Sequence, residues 1–447
     1  MVSSFLVPIS ICAVAALIVG SMLLLLCVEN RRFWKNLQQG LAPTENNSAK
    51  VNLIIPCKGK PEGARKNIEA FLSQDHPNFR IVFSIESTAD PITPLIQELQ
   101  REYRHVESKL VVAGPAKSCG QKVHNLLAAV EQIEDDVDIF AFADMDALVK
   151  PTWLRWLAIG AGQENCGARS GYRWMVPMRN NIATLIGVSM NNSIATCLGK
   201  NRQNLVWGGA WAIHRKVFQQ AGIGAAWSHV LSDDLAASRA IRNSNFDGKP
   251  LRIHYVPQCL CETDTEFTWS SLLEFVVRQL KITRLYAFGH WAMALLTGLV
   301  TQVGLWGSVV AWISIMLTGE RGTRPTLLML AFLSIYVLGV ARASIRQNMA
   351  RRIFPQWRNQ RKARYFDLFL WPVTGLFAVV SLLLSSIGNR ISWSNVHYRV
   401  ESSGRTMILS RNIESESWPV RTINSVPQPK MTTCAAPHTQ AVAQQQS

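Results

Sequence analysis

Val137-Asp-Ile-Phe-Ala-Phe-Ala143 runs directly into Asp144-Met-Asp146, and this ten-residue passage decides the fold class. A short apolar run closed by polar residues reads as a buried strand. Working outward, Val51-Asn-Leu-Ile-Ile55, Arg80-Ile-Val-Phe-Ser-Ile-Glu86 and Lys109–Ala113 read the same way. Between them, residues 63–74 place Ile68, Phe71 and Leu72 on one helical face, and a second helix follows Asp90-Pro91 as far as about Glu102. Strands alternating with helices over residues 51–285 imply an α/β sheet. Ligands of open α/β sheets bind beyond the carboxyl ends of the strands. Pro56-Cys-Lys-Gly59, Glu86–Asp90 and Asp144–Asp146 all lie at such ends, so three separate stretches should meet at one edge.

Two carboxylates one residue apart can hold a divalent cation through hard oxygen ligands, and that cation can neutralise a diphosphate. Surface acidic pairs are also common, and it is the position after an apolar strand that brings Asp144 and Asp146 forward. A second pair, Asp233-Asp234, opens a helical stretch over Leu235–Ile241, where acidic charge also suits the helix dipole.

The remainder of the chain reads as membrane protein. Only 17% of its 447 residues are charged, against roughly 25% in an average soluble domain. Phe5–Val28 carries no charge and exceeds the roughly 20 residues of a spanning helix. Arg31, Arg32 and Lys35 follow it, which sets the chain from residue 31 onward in the cytosol. No basic group precedes it, so an uncleaved anchor is expected rather than a signal peptide. Ala287–Leu317, Thr326–Ala341 and Leu368–Ile387 are further apolar stretches, the last interrupted by Pro372 and Gly375.

Between the last two lie eight Lys or Arg and no acid, from Arg342 to Arg364. This run holds much of the formal +16 charge. Its place between membrane segments favours a cytosolic loop on anionic lipid, with no nucleic-acid role. The expected organisation is an anchor over residues 1–30, a cytosolic domain over 31–285, a membrane region over 286–388 with the basic loop 342–364, and a C-terminal segment 389–447, disordered beyond about 412. Cys259-Leu-Cys261 is the only close cysteine pair, so neither a zinc site nor a disulfide framework is expected.

Taken in chain order, Pro56-Cys-Lys-Gly59, Asp144-Met-Asp146, Asp233-Asp234 and a basic stretch before the C-terminal membrane segments resemble the ceramide glucosyltransferases. Gln74-Asp-His-Pro77, Gly120-Gln-Lys-Val-His-Asn125, Gln220-Ala-Gly222, Ile391-Ser-Trp393 and Tyr398-Arg-Val400 extend the resemblance over about residues 5–405. It implies a GT-A domain, a Rossmann-like fold of nucleotide-diphospho-sugar transferases, with about four transmembrane helices. It also implies inverting transfer from UDP-glucose to the primary hydroxyl of ceramide, giving glucosylceramide.

Carried across, the resemblance assigns the nucleotide to Pro56, Lys58, Gly59, Glu86, Asp90 and Asp144, and a divalent cation, Mg or Mn, to Asp146 with Asp144. Asp234 becomes the general base, Asp233 its acidic neighbour, and Arg278 and Lys281 the cations at the diphosphate. Three positions depart from the family pattern: Glu86 replaces Asp, and Lys281 and Ile282 replace the Arg-Trp of the last motif. Arg284 is a candidate to compensate.

A lipid acceptor needs the active site at the membrane, because exposing each CH₂ costs about 0.8 kcal/mol. Trp174–Leu198 reads either as an interfacial helix near the acceptor or as a core helix, and Trp207-Gly-Gly-Ala-Trp211 offers rings near sugar or acceptor. The runner-up reading keeps this chemistry with a hopanoid or diacylglycerol as acceptor, or UDP-N-acetylglucosamine as donor. A processive polysaccharide synthase would need more crossings, and a membrane scaffold with weakened chemistry is the reading from another class. Golgi and bacterial inner membranes both fit the cytosolic catalytic face, and oligomeric state is not encoded legibly.

Overall fold

The computed structural model describes residues 2–39, 49–134, 136–163, 165–402 and 404–411. The expected disorder beyond about residue 412 lies outside the described residues. A long helix α1 (Val2–Gln39) precedes the α/β domain. Its first half alternates β1 (Val51–Pro56), α2 (Ala64–Leu72), β2 (Phe79–Ile85), α3 (Thr93–Glu102), β3 (Ser108–Val112), α4 (Gln121–Glu131) and β4 (Ile139–Ala143). Each expected strand and helix in this half appears within about two residues of its sequence bounds.

The second half contains α5 (Trp153–Ala158), β5 (Cys166–Pro177), α6 (Ile182–Ala195), β6 (Ala210–His214), α7 (Arg215–Gln220), α8 (Ile223–Trp227) and α9 (Asp233–Arg242). A small hairpin, β7 (Asn245–Phe246) and β8 (Lys249–Pro250), leads into β9 (Arg252–Thr265). The seven-stranded sheet has the order β3-β2-β1-β4-β6-β5-β9. Pairing is parallel from β3 to β4, antiparallel on both sides of β6, and parallel again between β5 and β9. The fold is therefore mixed α/β with a Rossmann-like parallel half.

Central parallel strands are covered on both faces, which is why β1 is buried along almost its whole length and apolar but for Asn52. Leu53 and Ile55 point into one layer with Phe71, Leu99 and Trp153, while Ile54 points into the other with Leu126, Trp211 and Trp227. Trp211 stacks on Phe142 with ring centroids 4.4 Å apart, so this Trp belongs to the core rather than to a sugar site. Trp174 also lies differently from its sequence reading: it is in β5, and only Ile182–Ala195 is helical. Ten of the fourteen residues of α6 are buried, which favours the core alternative.

The domain passes into α10 (Trp269–Tyr286), α11 (Phe288–Leu317), α12 (Thr323–Ile353), a 3₁₀ turn (Pro355–Asn359), α13 (Arg361–Phe369) and α14 (Trp371–Ser385). Residues 6–35, α11 and α12 are long and apolar enough to cross a membrane. On α1, the exposed Val7, Ile11, Val14, Ile18, Met22 and Leu25 recur every three or four residues, the stripe of a lipid-facing helix. The last apolar stretch, expected as a crossing interrupted by Pro372 and Gly375, lies mostly in α14, which meets α13 at a bend of 75°. Pro372 sits in the first turn of α14, where its missing N–H costs nothing.

The basic run is also corrected. It is no loop: α12 continues through Arg342 to Ile353. Arg346 is buried and forms a fork to Asp367 at 2.6 and 3.0 Å, with Gln347 and Ser189 on the same carboxylate, so this arginine is withdrawn from lipid. The chain then forms a three-stranded antiparallel sheet, β10 (Arg390–Trp393), β11 (Val396–Val400) and β12 (Thr406–Arg411). This sheet packs on the α/β domain through Ile391, Tyr398 and Val400 against Leu231, Ile282 and Tyr286.

Candidate active site

The carboxyl ends of β1, β2 and β4 meet as the sequence implies. Gly59 N donates to both oxygens of Asp90, at 2.9 and 3.2 Å, and Ile92 N donates to one of them at 3.0 Å. Asp90 thus ties the loop after β1 to the loop after β2, its carboxylate taken up by backbone amides. Lys58 Nζ reaches Glu86 Oε2 at 3.1 Å. Pro56 ends β1 opposite Ser84. Burial, reinforced by Asp90, pushes the adjoining Cys57 thiol far up, which leaves it unreactive.

Asp144 and Asp146 follow the buried β4. Asp146, just past the end of β4, is exposed to solvent, yet protein crowds around it. Desolvation and the neighbouring Asp144 raise its pKa, while Arg173 and Lys122 act in the opposite direction. Asp233 and Asp234 arrive from the start of α9, whose N-cap Ser232 accepts from Leu235 N. Asp234 accepts from Ser232 Oγ at 2.5 Å, Leu235 N at 2.8 Å and Gly208 N at 3.3 Å. Asp233 is fully enclosed, and burial pushes its carboxyl up to about 6 against the pull of Lys122.

Lys122 is the residue that sequence reasoning missed. Its Nζ stands 2.7 Å from Asp144 Oδ1 and 3.3 Å from Asp233 Oδ2, so one ammonium joins the two acidic pairs. Burial alone would lower its pKa, but Asp144, Asp233 and Asp234 more than reverse this and raise it. The available signal was a lysine in the first turn of α4, where the helix dipole disfavours a cation unless carboxylates compensate.

Gly208 and Gly209 make room for the cluster. A Cβ on Gly208 would stand 2.6 Å from Asp233 Oδ2 and 2.8 Å from Lys122 Nζ, and one on Gly209 would stand 2.8 Å from Asp144 Oδ2.

Arg278 lies on α10 with its guanidinium 5.7 Å from the Phe275 ring and 5.9 Å from the Trp393 ring. Arg173 approaches the same Phe275 at 5.0 Å and was not anticipated. Lys281 donates to the Arg390 carbonyl at 3.3 Å. Arg284 donates to the Ser386 carbonyl at 2.6 Å and to Gly388, so its guanidinium holds the end of α14. Among the described residues no ion pair links Arg278, Lys281 or Arg284 to the four aspartates.

No cluster of three or more His, Cys, Asp or Glu suited to a metal occurs among the described residues. The donor set still fits a small hard cation, because Mg²⁺ characteristically takes one or two carboxylates and completes its shell with phosphate and water. Asp146, exposed to solvent beside Asp144, is available for that arrangement.

The glycosyl transferase family 21 pattern matches residues 10–406. Ceramide glucosyltransferase 3 of Caenorhabditis elegans is 27% identical over 79 residues, 18% of this chain and 17% of that protein. Ceramide glucosyltransferase 1 of the same organism is 24% identical over 79 residues, with the same coverages. The matched segment therefore spans only about a sixth of these curated relatives. Among solved structures, the mannosyltransferase PcManGT of Pyrobaculum calidifontis, in complex with GDP-Man and Mn²⁺, aligns with 86% of this chain and 98% of its own at 12% identity and a TM-score of 0.46. S. aureus TarS in complex with UDP-GlcNAc aligns with 82% and 97% at 11% identity and a TM-score of 0.34. With the family pattern running over nearly all the described residues, the chain belongs to glycosyl transferase family 21.

Proposed function

We propose that the chain is a hexosyltransferase that moves glucose from UDP-glucose to the primary hydroxyl of a membrane lipid, ceramide, with inversion at the anomeric carbon. The observation that carries the reading is the convergence of Asp144, Asp233 and Asp234 on Lys122 at the carboxyl edge of the sheet. Asp146 and Asp144 would hold a divalent cation, which supplies charge neutralisation at the diphosphate.

The chain's own groups do the rest. Glu86 and Lys58 flank the place where the nucleoside would lie. Lys122, fixed against carboxylates, adds positive charge where the leaving diphosphate becomes more negative. Asp234, oriented by three hydrogen bonds, takes the proton from the acceptor hydroxyl. The acceptor oxygen bonds to the anomeric carbon as the bond from that carbon to the diphosphate oxygen breaks, the electron pair leaving with UDP. One displacement without a covalent intermediate converts an α-linked donor into a β-glycoside.

A lipid acceptor suits the surroundings. Met178, Ile182, Trp269 and Leu273 are exposed where β5 and β9 end and α6 and α10 begin, an apolar rim between the sheet and the spanning helices. Mass spectrometry of lipids from a host expressing the chain tests the reading. A new hexosylceramide that disappears with Asp234→Asn, while UDP binding persists, supports it. A new glycosylated diacylglycerol or hopanoid would replace the acceptor. No turnover with any UDP-sugar and no metal-dependent UDP binding would leave a scaffold.

A further inference from the structure

The C-terminal sheet β10–β12 begins beyond the last membrane helix, more than 100 residues from the α/β domain in sequence. Four of its groups nevertheless reach the donor edge. Arg411 Nη1 lies 2.6 Å from Glu86 Oε1, and its Nη2 donates to the Ala116 carbonyl at 2.7 Å and to Gln121 Oε1 at 2.9 Å. The Ser394 carbonyl, in a turn whose residues 394 and 395 have φ of 50° and 63°, accepts from Lys58 Nζ at 3.2 Å. Tyr398 OH accepts from Gln121 N at the first turn of α4, one residue before Lys122. Trp393 faces the Arg278 guanidinium.

We propose that β10–β12 forms a further wall of the nucleotide site and that Arg411 is a positioning residue for donor binding, acting through Glu86. The inference rests on the UDP-sugar reading above. Glu86 is one methylene longer than the family's Asp, and a free Glu side chain at a loop edge samples several rotamers. Here each of its oxygens has a cation, Lys58 on one side and Arg411 on the other, so the carboxylate is fixed in direction. Each oxygen keeps a lone pair for an N–H donor such as the imide of uracil. The guanidinium also links Glu86 to Gln121, whose Oε1 accepts from Ala116 N at 2.9 Å, so the loop before α4 is held with the wall. The sheet itself is anchored independently of Arg411: Thr406 N donates to the His229 carbonyl at 2.7 Å and Tyr286 OH to the Gly404 carbonyl at 2.8 Å.

The test uses the full chain in lipid nanodiscs, with UDP and UDP-glucose as probes, comparing wild type with Arg411→Gln, Arg411→Lys, Glu86→Gln and the double variant Arg411→Gln/Glu86→Gln. Arg411→Gln is expected to raise the UDP Kd and the donor KM about tenfold with kcat changed less than twofold. Arg411→Lys should recover part of that loss. The double variant should be no worse than Glu86→Gln alone, because Arg411 acts through Glu86, and unchanged thermal midpoints separate positioning from folding. Unchanged Kd and KM in Arg411→Gln, or tighter binding as from a blocking residue, overturns the proposal while the UDP-sugar reading stands. Failure of the wild-type chain to bind UDP at all brings down both.

Discussion

Lys122 Nζ stands 2.7 Å from Asp144 Oδ1, and the same ammonium faces the enclosed Asp233. It has two effects: it lowers the cost of gathering carboxylates at one edge of the sheet, and it places a fixed cation beside the expected diphosphate. Removing it leaves Asp233 buried without a counter-charge, which costs roughly 3–5 kcal/mol when such a pair is broken. Lys122→Met should therefore lower the unfolding midpoint and reduce turnover by about 100-fold or more, the scale of losing an electrostatic group aimed at a transition state. Steady-state kinetics beside thermal denaturation check both, and wild-type turnover in the variant would remove Lys122 from the site.

Gly208 gives a second, sharper test. The atoms that a Cβ would strike are the ends of the Asp233 and Lys122 side chains, not backbone. Gly208→Ala can thus be accommodated by moving the very groups that form the cluster. The expected outcome is a small change in melting temperature and a fall in turnover of at least tenfold. A large loss of stability with normal turnover per folded molecule would show that the glycine serves the backbone instead.

The parallel half of the sheet was legible because fully buried strands announce themselves as apolar runs, unbroken in Ile139–Ala143 and broken only by Asn52 in Val51–Ile55. The antiparallel half was not. In β5, Arg169, Tyr172 and Arg173 interrupt the apolar pattern, and only its last four residues, from Trp174 to Pro177, fall in the apolar stretch that continues into α6. The four aspartates were singled out because carboxylates near strand and helix ends suit cation binding and proton transfer whatever their partners. Lys122 and Arg411 were not, since a lysine or arginine is ordinary on a surface and only the fold shows what it faces. Glu86 and Arg411 are 325 positions apart, and local spacing holds no trace of that contact. The same blindness hid the Arg346–Asp367 pair, in which an acid just beyond the basic run turns one of its charges inward.

His76 offers a prediction about pH. It is buried, its Nδ1 accepts from Asn78 N at 3.2 Å, and burial with the nearby Arg155 lowers its pKa to about 4. An unfolded histidine titrates near 6.5. Above that pH the ring is neutral in both states. Between about 6.5 and 4 the unfolded chain takes up a proton that the folded chain refuses, so stability falls as pH drops through this window. His76→Gln should reduce the slope of unfolding free energy against pH between 6.5 and 4.5, with other groups titrating as before. Equal slopes for the two proteins would assign the acid sensitivity elsewhere.

The path of α14 yields the last prediction, on which side of the membrane the C-terminal sheet lies. Gly375 sits beside Gln302, Val379 beside Gly298, and Ser385 Oγ accepts from Trp291 Nε1 at 2.9 Å. Rising numbers in α14 thus meet falling numbers in α11, so α14 returns toward the point where α11 leaves the domain. There Arg284 binds the Ser386 and Gly388 carbonyls and Lys281 binds that of Arg390. At the other end, Asp367 of α13 is held by Arg346 and by Ser189 of the α/β domain's own α6. Fifteen residues of α14 also make only about 22 Å of helix, short of a hydrocarbon core of about 30 Å. The α13–α14 pair should therefore enter and leave on the domain's side, leaving three full crossings. In sealed vesicles, a membrane-impermeant maleimide should label Arg399→Cys from the same side as Lys60→Cys in the catalytic domain, and Arg321→Cys, between α11 and α12, from the opposite side. Labelling of Arg399→Cys together with Arg321→Cys would mean that α14 crosses, and that the contacts of β12 with Glu86 do not form in the membrane.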